Sequence, residues 1–261
     1  MPLQYRYGSR PSQYAELSLP AGSGRVPVVV VVHGGFWRTG YGAELGRPLA
    51  VDLVQRGWAA LNVEYRRVRS GRSAGGGGWP QTALDVAAAV DALAEDGQRL
   101  ASDRLDLSRV VGLGHSAGGH LVGWLAARGG LPAAAPGASP AVRLSGLVSQ
   151  AGVLDLVTAA RDGVGGRAVP DLMGGGPDRE AEAYALASPL ARLPLGVPSV
   201  CVHGDADDIV PITQSEAFVA AARAAGDESE LQRFDGDHFP PITVGTPAWT
   251  LCTDALGRLL A

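Results

Sequence analysis

Cysteine is scarce in this 261-residue chain, with Cys201 and Cys252 the only two. A pair so far apart makes neither a disulfide framework nor a thiolate metal site, and reads as two reduced, partly buried thiols. Aromatic residues amount to 6% and charged residues to 18%, which removes any obvious platform for stacking bases. The 22 basic and 26 acidic residues leave a net charge of −4 with no basic block, so neither nucleic acid nor a membrane is expected as a partner. The most apolar early stretch, Val26 to Val32, is interrupted by Pro27 and falls far short of the roughly 20 residues that span a bilayer. The first residues lack the charged-then-apolar pattern of a signal peptide, which makes a cytoplasmic location the expectation. No His-Glu-x-x-His helix occurs, and the glycine run at 75 to 78 lacks the Gly-Lys-Ser ending of a phosphate loop. No metal or other cofactor is expected.

What the chain does have is apolar residues, 46% of the total, and 37 glycines. Tyr14 to Leu19 alternates weakly and predicts an antiparallel edge strand. Val28 to Val32 is continuous valine, as in a parallel strand buried on both faces. Helical spacing follows over Leu45 to Gln55, then a strand at Trp58 to Val63. A glycine-rich loop is expected from Arg66 to Pro80, and an alanine-rich helix over Gln81 to Leu93. Further strands are read at Arg109 to Leu113, Val142 to Ser149, Ser199 to His203 and Glu230 to Phe234, and helices at Gln214 to Ala225 and Trp249 to Leu260. The recurring order predicts one three-layer α/β domain, residues 1–261, with a mostly parallel central sheet. The irregular stretch 156–195 reads as a short helical cap or lid, or as passive packing over the sheet edge.

Chemistry concentrates at Gly114-His115-Ser116-Ala117-Gly118, a Gly-x-Ser-x-Gly turn between an apolar strand and a helix face. Small flanking residues let strand and helix meet, forcing Ser116 into a strained backbone state that exposes its hydroxyl. A serine needs a base, and the base needs an acid to orient it. Of five histidines, His238 follows the last predicted strand, so its loop can return over the carboxyl ends of the parallel strands. His33 reads as structural, His120 as buried or capping, and His203 as shaping its turn. His115 sits in the sharp turn with its side chain directed away from the serine hydroxyl. Asp205, Asp207 and Asp208 all follow the strand ending at His203, and any of them can supply the acid. The oxyanion hole is expected from the Ala117 N–H with Gly35 N–H, Phe36 N–H or Gly34 N–H of His33-Gly34-Gly35-Phe36-Trp37. Trp37 either packs beneath that loop or lines the acyl side. Trp37, Trp79 and His115 are the candidate pocket residues.

The segments HGGFW at 33–37, EYR at 64–66, GHSAGGH at 114–120, HGDADDIVP at 203–211 and GDHF at 236–239 occur in this order. Together they resemble the α/β-hydrolase superfamily over nearly the whole chain, in particular its small serine esterase, arylformamidase and carbohydrate-esterase-like groups. The resemblance implies Ser116 as nucleophile, Asp207 as acid and His238 as base, on a three-layer α/β-hydrolase fold. Phe36 and Trp37 stand where hormone-sensitive-lipase-like esterases carry a third glycine, and HGGFW is similar to the motif of kynurenine formamidases. The expected reaction is hydrolysis of small carboxylic esters through an acyl-enzyme. N-formyl aromatic amide hydrolysis is the alternative, and a non-catalytic binding protein on a hydrolase fold is a third reading. The expected partner is a small-molecule ester or formamide, and a homodimer is compatible with the sequence.

Overall fold

The structure, a computed structural model, describes residues 2–68 and 76–261. Part of the expected 66–80 loop, residues 69–75, lies outside the described residues. In chain order the elements are β1 (Leu3–Arg6), β2 (Tyr14–Ser18), β3 (Val26–Val32), α1 (Arg47–Gln55), β4 (Ala59–Val63), α2 (Gln81–Asp91) and α3 (Asp96–Ala101). They continue with β5 (Leu105–His115), α4 (Ala117–Ala127), β6 (Gly146–Gln150), α5 (Leu156–Arg161), α6 (Ala168–Met173) and α7 (Ala181–Ala187). The chain closes with β7 (Ser199–Gly204), α8 (Thr213–Ala224), β8 (Ser229–Phe234) and α9 (Pro247–Leu259).

The strands form one sheet in the order β1-β2-β4-β3-β5-β6-β7-β8. Pairing is antiparallel for β1 with β2 and β2 with β4, and parallel from β4 through β8. The valine run explains the layering. Successive side chains on a strand point to opposite faces, so Val28, Val30 and Val32 join a core with α2 and α4. Val29 and Val31 enter a second core with α1 and α9. All five are at most 2% exposed, and each buried valine stabilises the sheet by roughly 1.5 kcal/mol or more. The expected three layers and mostly parallel sheet are what is found.

Several boundaries differ from the sequence reading. β2 is not an edge strand, because β1 pairs outside it. β1 is only four residues long and buries Tyr5 alone, too short to show alternation. β5 starts four residues before the expected strand. Its first half is polar, with Asp106 binding Ser108 and Arg109, and its pairing with β3 shifts register between Pro27 and Val28. β6 starts at Gly146 rather than Val142. The short helix α3 carries Asp96, Gln98 and Arg99 and has no apolar periodicity to announce it.

Between β6 and β7 the stretch 156–195 holds α5, α6 and α7. Leu156, Ala159, Val169, Leu172, Tyr184 and Ala187 from this stretch belong to the same core as α4. Asp155 caps α5 by accepting the N–H groups of Val157 and Thr158, which fixes where the stretch leaves the sheet. No helix among the described residues is long and apolar enough to cross a membrane.

The tightest crossing lies where β5 meets α4. A Cβ on Gly118 would stand 2.0 Å from the carbonyl oxygen of Val32, and one on Gly114 would stand 2.2 Å from that of Gly118. Backbone atoms cannot step aside as side chains do, so Gly118→Ala is expected to destabilise the protein by about 3 kcal/mol or more. Gly24 has nothing within 4 Å of such a Cβ, and Gly24→Ala is expected to change stability by less than about 0.5 kcal/mol. Chemical denaturation of the two variants beside the parent checks both. Equal midpoints would contradict the crossing.

Candidate active site

The crossing between β5 and α4 has its consequence at Ser116, whose backbone lies at φ 54°, ψ −116°. A non-glycine residue held there costs on the order of 1–3 kcal/mol and persists only where its surroundings over-determine it. They do so here. Ser116 N–H donates to the Gln150 carbonyl at 2.8 Å, and Ser116 C=O accepts from His120 N–H at 3.2 Å and from Val153 N–H at 3.3 Å. Ala117 is the first residue of α4, so its N–H has no acceptor within the helix.

The loop after β3 runs beside this turn. A Cβ on Gly34 would stand 3.2 Å from Ser116 Cβ and 2.8 Å from His115 Nδ1, so a side chain at 34 would collide with the serine. Gly35, Phe36 and Trp37 all have positive φ, at 108°, 53° and 55°. Arg38 N–H closes the turn onto the Gly35 carbonyl at 2.9 Å. Among the described residues the N–H groups of Gly35 and Phe36 have no acceptor.

Three supports hold that loop. Tyr65 stacks on His33, ring centroids 4.4 Å apart, and its hydroxyl donates to the His33 carbonyl at 2.8 Å. His33 Nδ1 lies 2.8 Å from the Gly34 carbonyl, and Glu64 accepts the Ala43 and Tyr65 N–H groups while facing His33 Nε2 at 3.4 Å. Burial works against the Glu64 anion, but the His33 contact and neighbouring donors outweigh it and keep its carboxyl below the usual range. The third support is Trp37, 1% exposed, whose indole N–H donates to His120 Nδ1 at 3.2 Å. His120 Nε2 then donates to the Ala187 carbonyl at 3.1 Å. Because indole can only donate, His120 is the neutral Nε2–H tautomer, in keeping with burial pushing it down to about 4. Trp37 therefore packs beneath the loop, which corrects its placement among the pocket residues. Phe36 faces the other way, its ring filling the space over Gly165, with Arg38 5.9 Å from its centroid.

Asp207 and His238, the expected acid and base, follow the carboxyl ends of β7 and β8. His238 Nδ1 donates to Asp207 Oδ2 at 2.6 Å, and both side chains are buried. Asp207 Oδ1 accepts the N–H groups of Ile209 and Val210, each at 2.9 Å. Burial penalises this carboxylate, yet hydrogen bonds from His203 and His238 and from the Val210 N–H more than offset the penalty. Its carboxyl stays well below the usual range. Asp205 instead pairs with Arg233 at 2.7 Å on the surface, and Asp208 is exposed. Of the three candidate aspartates, only Asp207 reaches His238.

His115 connects the His238 loop to Ser116. Its ring packs on that of His238, centroids 4.5 Å apart, and its Nε2 donates to the His238 carbonyl at 3.0 Å. Burial, and then the neighbouring His238 imidazole, push it down to about 3, so it is neutral. It is 7% exposed, and its contacts are with the His238 loop rather than with an open pocket. The Ser116 hydroxyl makes no hydrogen bond to His238 here, a common state in sites without substrate. Trp79 is half-buried, donates its N–H to the Leu172 carbonyl at 2.7 Å and sits edge-on to Trp124 at 5.9 Å. The structure thus brings together Ser116, Ala117, Gly34, Gly35, Phe36, Asp207 and His238, with His115 behind them. Sequence reasoning gave no role to Glu64 and Tyr65, although both lie in the EYR segment at 64–66; for His203 it expected a part in shaping the turn, and the imidazole lies 2.9 Å from the Val210 carbonyl, beneath Asp207.

This geometry has relatives. The chain is 28% identical over 232 residues to esterase LipC of Mycobacterium tuberculosis, covering 84% of this chain and 54% of that protein. It is 31% identical over 207 residues to the probable carboxylic ester hydrolase LipM of the same organism, covering 77% and 46%. The chain spans about half the length of the curated relatives it matches. Among solved structures, the butyrate-bound thermophilic esterase Est2 of Thermogutta terrifontis superposes with a TM-score of 0.77 at 22% identity, covering 100% of this chain and 95% of that one. That likeness establishes the α/β-hydrolase fold. A family model also matches residues 16–221, a stretch that contains Ser116 and Asp207 and ends before His238. By that match the chain belongs to the BD-FAE family.

Proposed function

We propose that the chain is a serine hydrolase that cleaves small carboxylic esters through an acyl-enzyme on Ser116. The observation that carries this reading is the buried His238–Asp207 pair at 2.6 Å, with the His238 ring packed on the residue that precedes the strained serine. Its likeness to the esterases LipC and Est2 and to the probable carboxylic ester hydrolase LipM lends it support.

His238 Nε2 takes the hydroxyl proton as Ser116 Oγ attacks the ester carbonyl carbon, and the carbonyl oxygen becomes an oxyanion. The Ala117 N–H and the N–H of Gly35 or Phe36 stabilise that charge; Gly34 supplies the clearance. One such donor contributes on the order of 3 kcal/mol in the transition state. The imidazolium, held in place by Asp207, gives its proton to the leaving alcohol, and neutral His238 then activates water against the acyl-enzyme. The whole chain acts as one domain in this reading, with 156–195 as a wall of the acyl site. Trp37–His120–Ala187, Phe36 over Gly165 and Arg38 beside Asp171 at 3.5 Å tie that wall to the oxyanion loop. It is a fixed cap rather than a swinging lid.

The HGGFW segment keeps an arylformamidase reading in play, with an N-formyl aromatic amide as substrate. Burial of Trp37 beneath the loop removes that aromatic residue as evidence for an aromatic substrate.

Ser116→Ala is expected to lower kcat on a short-chain aryl ester by about 10³-fold or more, and Asp207→Asn by a comparable factor. Both should keep the parent's circular dichroism. Full turnover by Ser116→Ala would overturn the mechanism.

The pH profile carries a second expectation. Burial holds His115 neutral and hydrogen bonds hold Asp207 ionised, so neither gains a proton in step with the base. The logarithm of kcat/KM is expected to fall with decreasing pH at a slope of one; a slope of two would mean that a second imidazole titrates with it.

In a direct comparison, short acyl esters are expected to have higher kcat/KM than N-formylkynurenine, since an amine leaves less readily than an activated alcohol. A large preference for the formamide would transfer the proposal to the arylformamidase reading.

A further inference from the structure

His203 is the penultimate residue of β7, four residues before Asp207, and its side chain is fully buried. Its Nε2 lies 2.9 Å from the Val210 carbonyl and 3.2 Å from Asp207 Oδ2. A carbonyl can only accept, so the proton sits on Nε2. Nδ1 lies 2.8 Å from the Ser215 hydroxyl on α8 and, in the neutral ring, accepts its proton. The Val210 N–H meanwhile donates to Asp207 Oδ1 at 2.9 Å. The acid loop is thus gripped at both backbone groups of one residue, with carboxylate, Val210 and imidazole forming a closed ring.

We propose that His203 is a positioning residue for the acid, locking the Asp207–Val210 turn and presenting to Oδ2 a second N–H beside that of His238. Asp207 then offers one fixed, fully ionised oxygen to His238. This rests on the Ser116–His238–Asp207 reading.

The groups facing the carboxylate and His203 are His238 from the loop after β8, His115 from the end of β5, Ser215 from α8 and Cys201 on β7. Cys201, whose thiol burial pushes up to about 12 and which hydrogen-bonds to Ser215, stays uncharged. Electrostatics and geometry act together. A donated N–H lowers the proton affinity of a carboxylate, which tempers how strongly Asp207 holds the imidazolium form of His238. Without His203 the Val210 carbonyl loses its partner in a dry site, the turn loosens, and the more basic carboxylate stabilises protonated His238. The base is then neutral only at higher pH.

The test compares His203→Gln, whose amide N–H reaches the Nε2 position, with His203→Leu, which has no donor. A short-chain aryl ester is the substrate, and Ser116→Ala is assayed in parallel. His203→Gln is expected to keep kcat within about threefold and leave the acid limb of kcat/KM in place. His203→Leu is expected to lose kcat about tenfold or more with KM within about twofold, and to move the acid limb up by about half a pH unit. A folded leucine variant with parental kcat and acid limb overturns the proposal, as does a glutamine variant impaired as badly as leucine. Where the leucine variant does not fold, Ser215→Ala decides, since it keeps the ring but removes the donor to Nδ1. Its acid limb is expected to move in the same upward direction, and an unmoved limb overturns the proposal. Activity retained by Ser116→Ala would overturn the triad reading itself. An inactive Ser116→Ala beside an unmoved limb in the His203 or Ser215 variant overturns only the role of His203.

Discussion

Three backbones meet at one point in this molecule: the end of β3, the end of β5 and the start of α4. The space a Cβ on Gly118 would need is already taken by the Val32 and His33 carbonyls, at 2.0 and 2.7 Å. Everything at the site depends on that closeness. It forces the positive φ of Ser116, and it brings Gly34 against the serine beside the start of α4 at Ala117. The valine run and the apolar helix α4 supply the burial that offsets the strain, which amounts to on the order of 1–3 kcal/mol.

The five histidines show how one residue type divides between support and chemistry. His33, His120 and His203 have both ring nitrogens close to a partner among the described residues. His238 engages Nδ1 alone, with Asp207, and His115 engages Nε2 alone, with the His238 carbonyl. A ring bonded at both ends is immobile and has no lone pair to spare. A base must keep one nitrogen open towards its substrate. Burial pushes His115 down to about 3, so it holds the His238 loop without competing for a proton.

Much of this was legible in the sequence because its signals are local. A Gly-x-Ser-x-Gly turn, a valine run and an aspartate three residues after a glycine each describe a few consecutive backbone units. The layering followed from valine alternation, and the order of serine, aspartate and histidine followed from loops at strand ends. What could not be read was pairing across the chain. The resemblance singled out Asp207, but the physical reason against Asp205, its pairing with Arg233 28 residues away, is not in the local pattern. The burial of Trp37 needed His120, 83 residues away. β1 was invisible because four residues with one buried tyrosine carry no period. The polar first half of β5 hid its length. His115 was expected to point away from the serine, and it does so by turning onto the His238 loop.

The chain of contacts from Trp37 through His120 to Ala187 bears on how such a scaffold changes its selectivity. In many enzymes a substrate-facing insertion can be exchanged like a fitting, because it touches the catalytic frame only at its two ends. Here the insertion is bolted to the loop after β3 through the interior. Grafts between 156 and 195 would be felt as altered turnover as well as altered preference, and diversification of that stretch is channelled into positions that leave the Ala187 carbonyl where it is.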